Sequence, residues 1–236
     1  MPCETESNNH QEAAMPIEAV IFDLDGVLTD TSEYHYQSWK QLADEEGIPF
    51  DRQANEKMRG LARRESLLHL LGERQVSEVE LQEMMARKNG YYEKCIQALS
   101  PANLLPGAMD LLNELQAAGI KVGIGSSSKN ARLVIQRLGI GDRIDALADG
   151  YSVERHKPAP DVFLYAAKQL AIEPSRCLVI EDADSGVAAA LNAGMRVVGL
   201  GPCDRVGAAH VVRDSLAESR WSELQALLQQ NQQQYA

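Results

Sequence analysis

Four short β-branched runs, residues 19–22, 121–124, 177–180 and 196–199, alternate along this chain with stretches of helical spacing. Each run has the length and β-branched content of a buried strand, and strands separated by helices pair in parallel, with the helices covering both faces of the sheet. An α/β architecture follows. From 32 to 100 the alternation stops and only helical signals remain. Tyr36, Trp39, Leu42 and Ala43 share a helix face ahead of Gly47 and Pro49; a second helix around 67–71 stops at Gly72; a third opens at a capping box formed by Ser77 and Glu80 and runs toward Cys95. The expectation is a parallel-sheet core of residues 16–30 and 101–228, with a helical domain, 31–100, inserted after the first strand. Residues 1–15 lack apolar periodicity and residues 229–236 are dominated by glutamine, so both are expected to be disordered tails.

The chemistry is expected where these strands end, because ligands of open parallel sheets bind along the carboxyl edge. The first run ends in Asp23, Leu24, Asp25 and Gly26. Side chains two apart on an extended chain point the same way, so both carboxylates can address one ligand, while Gly26 permits a sharp exit. Two carboxylates in a dry cleft repel each other, and a hard divalent ion such as Mg2+ relieves that repulsion through oxygen ligands. An aspartate pair alone also serves as a turn or a helix cap. Three other strand ends favour chemistry. The second run leads into Gly125, Ser126, Ser127, Ser128, Lys129 and Asn130 before a helix with Leu133, Val134 and Leu138 on one face. Hydroxyls and free helix N-terminal amides there suit phosphate oxygens. Lys157 precedes Pro158 and a further helical pattern, and the third run ends in a second acidic pair, Glu181 and Asp182, with Ser185 and Gly186 opening the next helix.

Composition removes several function classes. A formal charge of −11 disfavours nucleic acid and anionic lipid as partners, since both are held by clustered Lys and Arg, whereas a few cations inside a cleft still admit a small anion. No apolar run reaches the roughly 18 to 20 residues of a membrane span, and residues 1–15 have no basic flank or apolar stretch of a secretory signal. Cys3, Cys95, Cys177 and Cys203 are scattered without a CxxC pair, which fits neither a disulfide framework nor a zinc site. A cytoplasmic monomer acting on a small molecule is the expectation.

Asp-x-Asp, then Ser, then Lys, then Glu-Asp, each at a strand-to-helix junction, is far more specific as an ordered set than any of its parts. This order resembles the haloacid dehalogenase superfamily of phosphatases and phosphomutases, whose Rossmann-like core carries four such motifs and whose helical cap follows the first. The run from Asp23 to Thr31, then Glu33, Tyr34, His35, Trp39 and Lys40, is similar to the superfamily's sugar phosphomutases, and residues 60–67 are similar to their substrate-phosphate loop, with Arg63 at the arginine position. Arg155 and His156 stand before Lys157 where smaller residues are usual, and the loop near Gly72 differs in length.

The resemblance implies residue roles. Asp23 attacks phosphorus to give an aspartyl phosphate, and Asp25 is general acid and base toward the sugar oxygen. Ser126 and Lys157 hold the transferring phosphoryl group. Mg2+ is bound by Asp23, Glu181, Asp182 and the backbone carbonyl of Asp25. Arg63, Ser128, Lys129 and Asn130 are candidates for a second, non-reacting phosphate, with Thr31, His35, Trp39 and Lys88 as further substrate contacts. A sugar-phosphate phosphatase would use the same motifs and let water attack the phosphoenzyme. A receiver switched by phosphorylation at Asp23 is a different class, and it needs neither a helical lid nor the acid Asp25. A catalytically dead sugar-phosphate binder would not keep every chemical position competent.

Overall fold

The computed structural model describes residues 16–217 and 219–234. Its elements run β1 (Ala19–Phe22), α1 (Ser32–Glu45), α2 (Arg52–Glu56), α3 (Arg63–Leu71), α4 (Glu78–Ile96), α5 (Ala108–Ala117), β2 (Lys121–Gly125), α6 (Ala131–Leu138), β3 (Ala146–Ala148), α7 (Asp161–Leu170), β4 (Cys177–Glu181), α8 (Asp184–Asn192), β5 (Arg196–Leu200), α9 (Cys203–Val206), β6 (Val211–Arg213) and α10 (Trp221–Gln234). The six strands form one parallel sheet in the order β3-β2-β1-β4-β5-β6.

The strands are apolar on both sides because both sides are covered. Val20, Phe22, Ile124, Leu178, Ile180 and Val198 face Leu111 and Leu115 of α5, Val134 and Leu138 of α6, and Leu224 and Leu228 of α10. On the opposite face, Ala19, Ile21, Val179 and Val197 meet Phe163 and Ala166 of α7 and Val187 and Ala190 of α8. At roughly 1.5 to 3 kcal/mol for each large side chain, these two layers are the main force fixing the sheet. Between β1 and β4 the strand order reverses, one half building outward through β2 and β3 and the other through β5 and β6. A crevice opens at the carboxyl ends of that pair.

The stretch from α1 to α4 has an apolar cluster of its own, built from Trp39, Leu42, Phe50, Met58, Leu67, Leu70, Leu81 and Met84. Farther along α4, Tyr92 and Ile96 are instead buried with the sheet. This helix therefore ties the helical segment to the core beneath it. Its start is the expected capping box, the Ser77 hydroxyl accepting from the Glu80 amide at 3.3 Å and the Glu80 carboxylate accepting from the Ser77 amide at 2.7 Å.

Two strands go beyond those read from sequence. β3 is Ala-Leu-Ala, with little strand propensity, and is held in register by Asp145, whose carboxylate accepts from the Val122 amide at 2.9 Å and from Lys121 Nζ at 2.8 Å. β6 is a three-residue edge, joined to the loop after β5 by the Gly201 amide donating to the Arg213 carbonyl at 2.8 Å. The expected C-terminal tail needs correction: α10 continues through residues 229–234, because glutamine is a good helix former. Residues 1–15, 235 and 236 lie outside the described residues. No described helix is long and apolar enough to cross a membrane.

Candidate active site

Asp23 is the first residue beyond β1, and its amide still donates to the Ile180 carbonyl at 2.9 Å. The sheet thus fixes its backbone. Its carboxylate, with those of Glu181 and Asp182, forms a buried trio whose ligand oxygens all lie within 4.8 Å of one another. Two glycines make room for that convergence. Gly26, at φ +93°, leaves the space where a Cβ would stand 2.2 Å from Asp182 Oδ2, and at Gly186 a Cβ would stand 1.6 Å from Glu181 Oε1. Any side chain at either position would displace an acid.

Lys157 Nζ donates to Asp23 Oδ1 at 2.5 Å, lies 3.5 Å from Glu181 Oε1, and has a side chain only 1% exposed. Burial works against its charge, yet the carboxylates of Asp23 and Glu181 hold it protonated, above the usual lysine range. Arg59 Nη1 donates to Asp182 Oδ2 at 2.7 Å. Even with these cations present, burial, followed by the charge of Asp23, lifts Asp182 to about 6 and Glu181 well above the ordinary carboxylate range. Glu181 Oε2 is buried without a hydrogen-bond partner among the described residues. A close, oxygen-only donor set with excess negative charge and an orphaned ligand atom fits a hard divalent cation.

Asp25 faces the same cleft, but its carboxylate is not a member of the trio. Thr31 donates its hydroxyl to Asp25 Oδ1, and His35 Nε2 lies 4.0 Å from Oδ2. Burial, then the charge of Asp23, raises Asp25 to about 7. A carboxyl so placed holds and releases a proton near neutrality, as a general acid and base must.

The expected phosphate-side residues are arranged at the start of α6. Ser126 is buried, donates its amide to Ala148 at 3.0 Å and accepts from the Ser128 amide at 3.1 Å. Ser126, Ser128 and Lys129 line the cleft, with Lys129 Nζ 5.0 Å above the Tyr151 ring. Asn130 points elsewhere, its side-chain amide donating to Asn89 Oδ1 on α4 at 2.8 Å.

From the helical segment, His35, Trp39, Arg63 and Lys88 line the opposite wall. Lys88 is 2% exposed; its Nζ lies 2.8 Å from His35 Nδ1 and 4.9 and 4.8 Å above the Trp39 and Tyr92 rings. Burial, then the charge of Arg63, pushes Lys88 well below the usual lysine range, and burial likewise keeps His35 neutral. Trp39 serves two purposes, lining the cleft and packing in the segment's apolar cluster. Arg63 lines the cleft without an ion-pair carboxylate among the described residues.

Sequence reasoning missed Arg59, Glu56, Arg205 and Asn89. Each acts through a partner distant in the chain, such as Arg59 with Asp182, 123 residues apart. No local spacing announces such a pair.

Comparison with known proteins gives this geometry a family. The Bacillus subtilis (strain 168) β-phosphoglucomutase is 45% identical over 204 residues, covering 84% of this chain and 90% of the relative. A phosphorylated carbohydrates phosphatase of Thermotoga maritima is 28% identical over 187 residues, covering 78% and 85%. Among solved structures, β-phosphoglucomutase from Clostridium difficile superposes with a TM-score of 0.88 at 39% identity, covering 91% of this chain and 98% of that one. A family model for haloacid dehalogenase-like hydrolases matches residues 17–194, which take in the Asp23 strand end, the Ser126 turn, Lys157 and the Glu181–Asp182 pair, and the chain belongs to that family.

Proposed function

We propose that the chain interconverts β-D-glucose 1-phosphate and D-glucose 6-phosphate, the reaction of a β-phosphoglucomutase, through an aspartyl phosphate on Asp23 and β-D-glucose 1,6-bisphosphate. The observation that carries this reading is a single cleft with an anion-seeking group on each wall. Asp23 and its neighbours stand on the core side, and Arg63, without an ion-pair carboxylate among the described residues, stands on the helical side. A sugar phosphorylated at both ends requires two such sites. The 45% identity to the Bacillus subtilis β-phosphoglucomutase supports the choice of sugar.

Asp23, Glu181, Asp182 and the backbone carbonyl of Asp25 would hold a divalent cation, assigned as Mg2+, which when bound neutralises charge on the transferring phosphoryl group. The remaining work falls to the chain's own groups. Asp23 attacks phosphorus, so one difficult transfer becomes two easier ones. Lys157 and Ser126 hold equatorial phosphoryl oxygens where charge concentrates. Asp25, held near neutrality, gives its proton to the leaving sugar oxygen and takes one from the attacking hydroxyl. Arg63, with Ser128 and Lys129, binds the phosphate that is not reacting, and its planar fork suits two oxygens at once. Thr31 fixes the Asp25 carboxyl, while His35 and Lys88 position each other beside it.

Residues 31–100 act as the cap of this cytoplasmic enzyme of carbohydrate metabolism, excluding water while phospho-Asp23 waits for the sugar hydroxyl. The similar Thermotoga maritima phosphatase makes hydrolysis the rival outcome. Given β-glucose 1-phosphate and a trace of glucose 1,6-bisphosphate, the enzyme is expected to form glucose 6-phosphate with little free phosphate. Phosphate released as fast as sugar phosphate disappears, with no glucose 6-phosphate, would establish a phosphatase instead.

A further inference from the structure

Arg59 stands at the boundary of two cavities. One is the cleft described above; the other is lined by Asp182 together with Gly26, Asp30, Arg205 and Asp214. The Arg59 guanidinium is forked. Nη1 donates to Asp182 Oδ2 at 2.7 Å, while Nε and Nη2 donate to the two Glu56 oxygens at 2.7 and 3.0 Å. Arg205 Nη1 also donates to Glu56 Oε1, at 3.3 Å. A cation carried by the helical segment is thus tethered beside a core carboxylate assigned to the metal, a contact the proposed reaction does not use.

Charge counting shows what such a contact does. In the fully ionised form that ligates a metal, the trio of Asp23, Glu181 and Asp182 faces two bonded cations, Lys157 and Arg59, for a net charge of −1. A bound divalent cation would turn that into +1, and departure of one side-chain cation would return it to zero. Lys157 is 1% exposed and held by two carboxylates. Arg59 is 26% exposed and keeps Glu56 as a partner when it lets go of Asp182. Repulsion among cations is costly in a buried site, so the group that can retreat toward water is the one that leaves.

We propose that Arg59 is an internal counter-ion for the metal cluster, so that a divalent cation at Asp182 and docking of the Arg59 loop oppose each other. The inference rests on the metal assignment made under the proposed function. Such opposition is reciprocal: the docked loop weakens metal binding by the factor by which metal loosens the loop. Arg59 is here a positioning residue, with no role in bond making.

The test is calorimetric titration of the full chain with MgCl2, free of phosphate, for wild type, Arg59→Ala, Arg59→Lys and Arg205→Ala. Arg59→Ala is expected to tighten Mg2+ binding about fivefold or more, the lower end of ordinary coupling between two sites. Arg59→Lys should fall between it and wild type. Arg205→Ala, which removes a nearby charge with no bond to Asp182, should change affinity less. Affinity unchanged or weakened in Arg59→Ala, or shifted equally by Arg205→Ala, overturns the proposal. Hydrogen exchange supplies the reciprocal reading: Mg2+ should speed exchange of the amides of residues 57–61 in wild type and leave it unchanged in Arg59→Ala. Slower exchange in wild type also overturns it. A wild-type chain that binds no Mg2+ would instead remove the metal assignment beneath it.

Discussion

Asp25 is where the proposed chemistry and the stability of the fold conflict most directly. Its carboxyl is lifted from an ordinary 3.8 to about 7, by burial first and the charge of Asp23 second. Below about pH 4 both the folded and unfolded chains carry this proton, and no cost arises. As pH rises, the unfolded chain releases the proton first while the folded chain keeps it, so folding loses stability until about pH 7. A gap of that size corresponds to about 4 kcal/mol as a ceiling, of which roughly 2 to 3 kcal/mol falls between pH 5 and pH 8. Asp25→Asn removes the titration and retains an oxygen to accept from Thr31. Urea unfolding in EDTA at pH 5 and pH 8 measures the effect. Wild type should lose roughly 2 to 3 kcal/mol more than the variant between these conditions, with the variant the more stable at pH 8 despite being inactive as a mutase. Equal losses in the two proteins would refute the assignment of a raised Asp25, and with it the physical basis for its acid–base role.

Other substitutions separate the remaining roles. Asp23→Asn and Asp23→Ala should each abolish turnover and acid-labile phosphoenzyme, and a phosphoenzyme persisting in either variant would place the nucleophile elsewhere. Arg63→Ala should weaken sugar-phosphate binding by about 2 to 5 kcal/mol if it pairs with a desolvated phosphate, while transfer from a small donor with one phosphate barely changes. Equal losses for both donors would assign Arg63 to the fold. EDTA should stop turnover and Mg2+ restore it; Asp182→Ala should weaken Mg2+ binding far more than Asp25→Asn, whose backbone carbonyl remains.

Much of the fold and of the proposed site was legible because the residues concerned sit where local rules apply. Short β-branched runs announced β1, β2, β4 and β5, and the acids and serines beyond them could be found from those runs. β3 and β6 were not legible: three residues of Ala-Leu-Ala become a strand only because Asp145 pins them to β2. The helical insertion was visible in its spacing, yet α2, five residues capped by Asp51, is too short to show periodicity. Side-chain direction was the other gap. Asn130 follows the serine turn as a phosphate ligand would, and its side-chain amide donates to Asn89 of α4, a partner that no local spacing announces. The link from Arg205 through Glu56 and Arg59 to Asp182 joins three distant stretches of chain, so it exists only in the folded molecule.

Whether phospho-Asp23 gives its phosphoryl group to sugar or to water is the claim on which the account stands. Enzyme carrying a labelled phosphoryl group on Asp23 should be mixed with excess β-glucose 1-phosphate and Mg2+ in a single turnover, and the label then divided between sugar phosphates and inorganic phosphate. The proposed cap and the acid–base role proposed for Asp25 predict nearly all of the label in glucose 1,6-bisphosphate and glucose 6-phosphate. Label appearing chiefly as inorganic phosphate, at a rate indifferent to the sugar, would contradict the mutase cycle.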